Sequence, residues 1–209
     1  MDSPVPPDIA AVRDALHPLS QVPSGSAWNL GEVEDLLPAG ASVPAAVLVG
    51  LVARAGGPRV LLTRRTDTLR HHAGQVSFPG GRVEPSDRDA LAAAIREANE
   101  EVGLLPVQIM PMGWLDPLAT VTGFTVLPLV ATLAADYVAR PDPGEVAGVF
   151  EVPLRFLMGT GNLRRVAFDW KGRPRQVLEY VDHGVQGPRI WGATASILYN
   201  LRQRLEQVR

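Results

Sequence analysis

The apolar run VPAAVLVGLVA, at residues 43–53, is the feature that most constrains the fold of this chain. It is short and rich in β-branched residues, which predicts a buried strand. A Gly-Gly-Pro turn separates it from RVLLTRR, at residues 59–65, so the two segments predict a β-hairpin. The run is too short to cross a bilayer as a helix. We therefore expect a sheet built around these two strands.

The composition excludes several classes of protein. The chain has 209 residues, enough for one domain, with 20 Lys and Arg against 22 Asp and Glu. This near balance argues against a protein held to nucleic acid by bulk positive charge. The absence of Cys excludes disulfides, thiolate zinc sites and a cysteine nucleophile. The start, MDSPVPPDIA, has neither the basic nor the apolar region of a secretory signal, so we expect a cytoplasmic protein without a membrane partner.

The order of the predicted elements indicates the fold class. Residues 1–40 are predicted to be an N-terminal extension with a short helix capped by Asp8, and residues 41–209 the main domain. Residues 64–88 are polar, contain Gly and Pro, and are predicted to be mostly loop. Further strands are expected at residues 113–115, 124–133 and 145–152, a hairpin at 166–170 and 176–181, and a helix at 192–206. Without a regular βαβα alternation, this order favours an α+β fold or a helix–sheet–helix sandwich.

A helix predicted at residues 89–102 carries the main chemical signal. Its apolar positions form one stripe: Leu91, Ile95, Ala98 and Val102. Gly103 is suited to a left-handed C-terminal cap. Glu97, Glu100 and Glu101 fall within an arc of about 100° on the opposite side. This pattern predicts an apolar face against the sheet and three crowded carboxylates away from it.

Two electrostatic effects oppose this carboxylate cluster. Like charges at these spacings cost roughly 0.2–0.5 kcal/mol per pair, and the helix dipole disfavours negative charge near the C-terminus. A divalent cation would reverse both effects, and carboxylate oxygens suit Mg²⁺ or Mn²⁺. The alternative is a solvated acidic face. The Gly-rich segment FPGGRVEPSD, at residues 78–87, favours the metal, because glycines let the backbone approach an ion or a phosphate closely.

These segments together resemble the Nudix box, G-x5-E-x7-R-E-U-x-E-E-x-G-U, in which U is a bulky apolar residue. Gly81 and the string REANEEVGL, at residues 96–104, match its glycine, arginine and glutamate positions. Asp87 stands where the box has Glu, and eight residues rather than seven separate it from Arg96. The first U position is the small Ala98. These departures leave the role of Asp87 open.

A second segment resembles one branch of that family. Residues 61–81, LLTRRTDTLRHHAGQVSFPGG, are similar to the signature L-L-T-x-R-S-x3-R-x3-G-x3-F-P-G-G of coenzyme A pyrophosphatases. Thr66 replaces the usual Ser and keeps the hydroxyl. The same one-residue insertion in the Nudix box occurs in that branch. With residues 142–154 and 190–198, which also resemble it, the similarity covers residues 40 to 205.

The resemblance implies a Nudix-like α/β/α sandwich with a mixed β-sheet. It implies hydrolysis of the diphosphate bond of coenzyme A, or of its derivatives, to 3′,5′-ADP and 4′-phosphopantetheine. The metal would be Mg²⁺ or Mn²⁺, with its shell completed by a carbonyl of Gly80 or Gly81. The ligands and catalytic groups would be the three helix glutamates, Glu97, Glu100 and Glu101. Glu145, which follows a Pro/Gly-rich loop, is a further catalytic candidate as general base or ligand, ahead of Glu151 and Glu84.

Arginines before the glycine-rich segment are candidates for substrate binding, because the planar guanidinium makes paired contacts with phosphate. Arg65 and Arg70 occupy the fixed arginine positions of the branch signature. Other substrate-binding candidates are Arg64, His72 and Gly80. Arg96 is expected to pair with an acid and fix the loop to the helix.

The partner expected from the resemblance is a small nucleotide substrate, not a nucleic acid, and a homodimer is considered possible. Two alternatives remain open: a Nudix hydrolase for ADP-ribose or another nucleoside diphosphate derivative, and a Nudix module that binds a nucleotide without cleaving it. The second is less favoured, because such a module is expected to have lost acids that this chain keeps at all three glutamate positions.

Overall fold

The computed structural model describes residues 8–40, 42–68, 72–170, 172–181 and 188–208, and every element belongs to that part of the chain. Its strands are β1 (Val43–Val52), β2 (Arg59–Arg65), β3 (Val76–Ser77), β4 (Gly80–Arg82), β5 (Ile109–Trp114), β6 (Leu118–Ala119), β7 (Phe124–Leu133), β8 (Val146–Pro153), β9 (Leu163–Trp170) and β10 (Arg173–Tyr180). Its α-helices are α1 (Ile9–Asp14), α2 (Leu30–Val33), α3 (Ala90–Val102), α4 (Leu154–Leu157) and α5 (Gly192–Gln207). None of the described helices is long and apolar enough to cross a membrane.

Strand β1 lies inside the main sheet, as its apolar sequence predicts. It pairs in parallel with β7 along its whole length and in antiparallel with β2 at one end only, through Leu51–Val60 and Val52–Arg59. Beyond those pairs the two strands diverge. β4 then pairs with β1, and β3 pairs with β2. The segment 76–82 therefore fills the gap between the two strands of the central hairpin, which brings Gly80 and Gly81 into the middle of the sheet.

Helices cover both faces of this sheet. Successive residues of β1 point to opposite faces because the side-chain period of a strand is two. On one face the core contains Leu48 of β1 with Ala94 and Ala98 of α3. On the other face Val49 of β1 packs in a core shared with α1 and with Leu198 of α5. With one parallel pair among antiparallel ones, the fold is an α/β/α sandwich with a mixed sheet, and the predicted α+β class is confirmed.

The predicted elements agree with the structure where the sequence pattern is local. The hairpin at residues 43–53 and 59–65, the strand at 124–133 and the C-terminal helix are confirmed. The described residues of 64–88 are mostly loop, as predicted, but the short strands β3 and β4 also lie in this segment. Those short strands form because β1 and β2 diverge and leave backbone groups to be paired, a tertiary cause that side-chain patterns do not show.

The N-terminal segment packs against the main sheet and the last helix. Asp8 caps α1 as predicted, with its Oδ1 accepting from the Ala11 N–H at 2.8 Å. After α1, Arg204 of α5 donates to the Ala15 carbonyl at 2.6 Å, and His17 pairs through its backbone with Trp114 of β5. These bonds connect residues 8–17 to two elements far along the chain. The domain boundary between residues 40 and 41 stays a prediction.

Candidate active site

Small side chains determine how α3 lies on the sheet. Asp89 caps its first turn by accepting from the Ala92 N–H at 2.8 Å, and Gly103 ends it with a φ of 71°. The buried positions of the helix are Ala93, Ala94, Ala98, Glu101 and Val102. The predicted stripe faces the core, but Leu91 and Ile95 lie at its edge and are only partly buried. The helix is rotated so that its alanines approach the strands closely, and this rotation turns one glutamate toward the sheet.

Glu101 is the deepest carboxylate of the site, with 3% of its surface exposed. Its Oε2 accepts from the Gly80 N–H at 3.3 Å, and its Oε1 lies 3.5 Å from Arg65 Nη1. Burial raises the pKa of Glu101 to about 7; Arg65 and the Gly80 N–H oppose this rise, and the charges of Glu97 and Glu145 add to it. The sequence predicted an outward carboxylate here, and the structure shows a buried one whose charge is incompletely compensated.

Glu97 lies directly against the glycine-rich strand. A Cβ atom built on Gly81 would be 2.5 Å from Glu97 Oε1, so any larger residue would displace this carboxylate. Burial raises the pKa of Glu97, Arg96 acts to lower it, and Glu100 and Glu145 raise it further. Glu97 and Glu101 therefore form a pair of partly desolvated acids beside the backbone of β4.

Arg96 joins the loop to the helix, as the sequence predicts, and its acid is Asp87. Its Nε and Nη2 each lie 2.9 Å from an oxygen of Asp87, and its Nη2 also donates to the Arg82 carbonyl at 3.1 Å. Its Nη1 contacts Glu97 and Glu100, both at 2.9 Å. Hydrogen bonds from Arg96 hold the pKa of Asp87 below its usual range. Asp87 therefore pairs with Arg96 although the loop is one residue longer than in the Nudix box. The motif spacing alone left this pairing open.

Glu145 joins the cluster through Arg65. The Arg65 Nη2 lies 3.9 Å from Glu145 Oε2, and the Thr66 N–H donates to the Glu145 carbonyl at 2.9 Å. The side chain of Glu145 is half exposed. The weaker candidates lie elsewhere: Glu151 bonds to Arg54 through both its oxygens, and Glu84 has an exposed side chain.

The remaining predicted residues divide into two groups. Glu100 is mostly exposed and pairs with Arg96, so it lies at the rim of the cluster. Arg64 bonds to Asp67 at 2.7 and 2.8 Å, and His72 Nδ1 lies 2.8 Å from the oxygen of Gln75, so both have partners outside the glutamates. Arg70 falls outside the described residues.

The donor atoms of the cluster suit a hard divalent cation. Within the described part of the chain, no three His, Asp or Glu side chains are already arranged as a metal site. Arg65 lies beside Glu101, and Arg96 bonds to Glu97 and Glu100. Carboxylate oxygens are nevertheless the ligands that Mg²⁺ and Mn²⁺ prefer. The raised pKa values of Glu97 and Glu101 show that the two arginines do not fully offset the cost of burying these carboxylates in their charged form. The residues therefore fit such an ion.

The raised pKa of Glu101 predicts an unusual pH dependence of stability in the metal-free protein. The native state holds its proton up to about pH 7, whereas the ordinary value of 4.5 applies when the chain is unfolded. Because the native state binds more protons, its free energy of unfolding should fall by up to about 3 kcal/mol as pH rises from 4.5 to 7. Glu101→Gln should lose this contribution to the pH dependence. Urea unfolding with a chelator at pH 5 and pH 8 measures it, and a stability difference between the two proteins that does not change with pH would contradict it.

Comparison with known proteins places this chain in a family. A model of the NUDIX domain matches residues 43–167. The chain belongs to the Nudix family. A protein of Photorhabdus laumondii, described as an uncharacterized Nudix hydrolase NudL, is 38% identical over 162 residues, which cover 78% of this chain and 84% of that protein. A protein of Cronobacter sakazakii with the same description is 42% identical over 158 residues, covering 75% and 80%.

Solved structures agree on the fold. The crystal structure of a MutT/nudix family protein from Enterococcus faecalis matches 81% of this chain and 64% of its own length, with a TM-score of 0.53 and 13% identity. The match to the NUDIX domain confirms the Nudix resemblance, and Nudix hydrolases generally use divalent metal ions. The coenzyme A branch, the cytoplasmic location and a homodimer stay predictions.

Proposed function

We propose that this Nudix-family chain hydrolyses the diphosphate bond of coenzyme A, or of a coenzyme A derivative, to 3′,5′-ADP and 4′-phosphopantetheine. The observation that supports hydrolysis is the buried Glu101. It accepts a hydrogen bond from the Gly80 N–H, pairs with Arg65 and interacts electrostatically with Glu97 and Glu145. The choice of substrate rests on the resemblance of residues 61–81 to the coenzyme A pyrophosphatase signature.

The metal would be Mg²⁺ or Mn²⁺, held by Glu97, Glu100 and Glu101 with a carbonyl of Gly80 or Gly81. When bound, such an ion supplies neutralisation of the diphosphate charge and a lower pKa for a coordinated water. The chain's own contribution is to fix the carboxylates. The Gly80 N–H holds Glu101 from the sheet side, and Arg96 holds Glu97 and Glu100 from the loop side.

Glu145 is the proposed general base. Its side chain is half exposed and its charge acts on both Glu97 and Glu101, so water reaches it at the edge of the cluster. In this role it would take the proton of the attacking water. A metal ligand is the second role that fits the same position. Glu151 is the weaker candidate for both roles, because its side-chain partners are Arg54 and Tyr137 and not members of the glutamate cluster.

Arg65 and Arg70 are proposed to bind the substrate phosphates. The side chain of Arg65 is 24% exposed and its guanidinium lies beside the carboxylates, so it can reach a phosphate bound at the same edge. Asp87 and Arg96 are proposed as positioning residues that act through Glu97 and Glu100. Both oxygens of Asp87 already accept hydrogen bonds from Arg96, so this pair fixes the glutamates and does not itself bind the substrate.

Mass spectrometry of the products tests this proposal. The protein is incubated with Mg²⁺ or Mn²⁺ and either coenzyme A or ADP-ribose, with a chelator as control. We expect 3′,5′-ADP and 4′-phosphopantetheine from coenzyme A, and no products with the chelator. Cleavage of ADP-ribose alone would keep the hydrolytic reaction and contradict the substrate. No cleavage of either by a folded protein that binds Mn²⁺ would favour the non-catalytic nucleotide-binding module.

A further inference from the structure

The two arginines of the carboxylate cluster are equally exposed but differently held. The side chain of Arg65 is 24% exposed and that of Arg96 is 23% exposed. Arg96 makes hydrogen bonds of 2.9 to 3.1 Å with three carboxylates and one carbonyl. Arg65 lies 3.5 Å from Glu101 and 3.9 Å from Glu145, beyond the 2.7–2.9 Å of charge-assisted bonds. Arg96 is therefore locked in place, whereas the contacts of the Arg65 guanidinium with the carboxylates of the described residues are both longer than a hydrogen bond.

The backbone at Arg65 is fixed even though its side chain is loosely held. Its N–H donates to the Gln75 carbonyl at 2.9 Å, and the next residue, Thr66, donates to Glu145. Arg64 and Arg65 are consecutive residues of β2, so their side chains point to opposite faces of the sheet. The contacts agree with this alternation: Arg64 pairs with Asp67, and Arg65 lies beside the carboxylates.

We propose that Arg65 is the internal counter-ion of the carboxylate site, that it competes with the divalent cation for Glu101, and that metal binding releases it to the substrate phosphate. This inference rests on the proposed function. Glu101 is a buried carboxylate, and the Arg65 guanidinium lies 3.5 Å from its Oε1. A divalent ion on the same carboxylate would repel the guanidinium, because like charges a few ångströms apart destabilise each other. The loose contacts allow Arg65 to move, and a bound diphosphate supplies the next anion within its reach.

The consequence is that one side chain affects metal and substrate in opposite directions. Removal of Arg65 takes away a competitor for the metal, so the metal should bind more tightly. The same removal takes away a phosphate contact, so the substrate should bind less tightly. A residue that merely supports the fold of the site would weaken both, and a simple phosphate-binding arginine would leave the affinity for the metal alone unchanged.

Electron paramagnetic resonance of free Mn²⁺, without any nucleotide, tests the first direction. We expect Arg65→Gln to bind Mn²⁺ about three- to tenfold more tightly than wild type. Arg65→Lys keeps the positive charge and should stay close to wild type. Arg64→Gln, the neighbouring variant whose arginine pairs with Asp67, should leave the Mn²⁺ affinity unchanged. Circular dichroism confirms that each variant is folded.

Steady-state kinetics at saturating Mn²⁺ test the second direction, with an expected rise in the KM for coenzyme A of at least about tenfold in Arg65→Gln. Unchanged or weaker Mn²⁺ binding by Arg65→Gln, beside normal binding by wild type, would overturn the counter-ion role alone. A wild-type protein that does not bind Mn²⁺, or that binds it equally well after Glu101→Gln, would overturn the proposed metal site and this inference with it.

Discussion

Glu101→Gln is expected to lower kcat/KM for coenzyme A by roughly 10²- to 10³-fold while the protein stays folded. The substitution keeps the shape of the side chain and an oxygen to accept from the Gly80 N–H, but it removes the charge of the most buried carboxylate in the cluster. A divalent cation would interact most strongly with this carboxylate, because Glu101 is the carboxylate of the cluster with the least access to water. Steady-state kinetics with saturating Mg²⁺ measure the loss, and Mn²⁺ titration shows whether metal affinity falls with it.

A matched control is available on β8. Glu151 is also a largely buried carboxylate, but its partners are Arg54, Arg59 and Tyr137, away from the glutamates of α3. Glu151→Gln should change kcat/KM by less than about twofold, although it removes strong ion pairs and should lower the free energy of unfolding. If Glu101→Gln retained activity within about threefold of wild type, the role of Glu101 as a metal ligand required for hydrolysis would be wrong.

The parts of this site that follow from sequence are those fixed by local spacing. The helix, its Asp89 and Gly103 ends and the Arg96 side chain directed at an acid all depend on residues a few positions apart. The hairpin of β1 and β2 follows from two short apolar runs and a glycine turn. Such features are set by helical and strand periodicity, which the sequence displays directly.

The parts that sequence did not predict depend on contacts between distant segments. The burial of Glu101 follows from how closely the alanines of α3 approach the sheet, whereas larger apolar residues at Leu91 and Ile95 suggested a different buried face. The alanines at positions 93, 94 and 98 were the available signal, since only small side chains allow that approach. Arg65 illustrates the same limit. Its motif position suggested phosphate, and the fold places carboxylates beside it.

Substitution by alanine at the two adjacent glycines of β4, Gly80 and Gly81, should affect stability and activity differently. In Gly80→Ala the new Cβ would overlap the Ala46 carbonyl oxygen and lie 2.6 Å from the Val47 Cα, at a φ of +154°. Backbone atoms of a central strand cannot yield, so we expect a loss of about 3 kcal/mol or more in the free energy of unfolding. Urea denaturation of the metal-free variant measures this loss.

In Gly81→Ala the new Cβ would instead meet the end of a side chain, 2.5 Å from Glu97 Oε1 and 2.7 Å from its Cδ. A flexible glutamate can turn away, so the free energy of unfolding should change by only about 1 kcal/mol. The displaced carboxylate would no longer lie beside Glu101, and because catalysis is sensitive to shifts of about 1 Å, activity should fall about 10²-fold. A Gly81→Ala protein that keeps full activity would mean that the position of Glu97 against β4 does not matter for the reaction. Loss of stability equal to that of Gly80→Ala would mean that the helix and strand are too tightly packed for Glu97 to move.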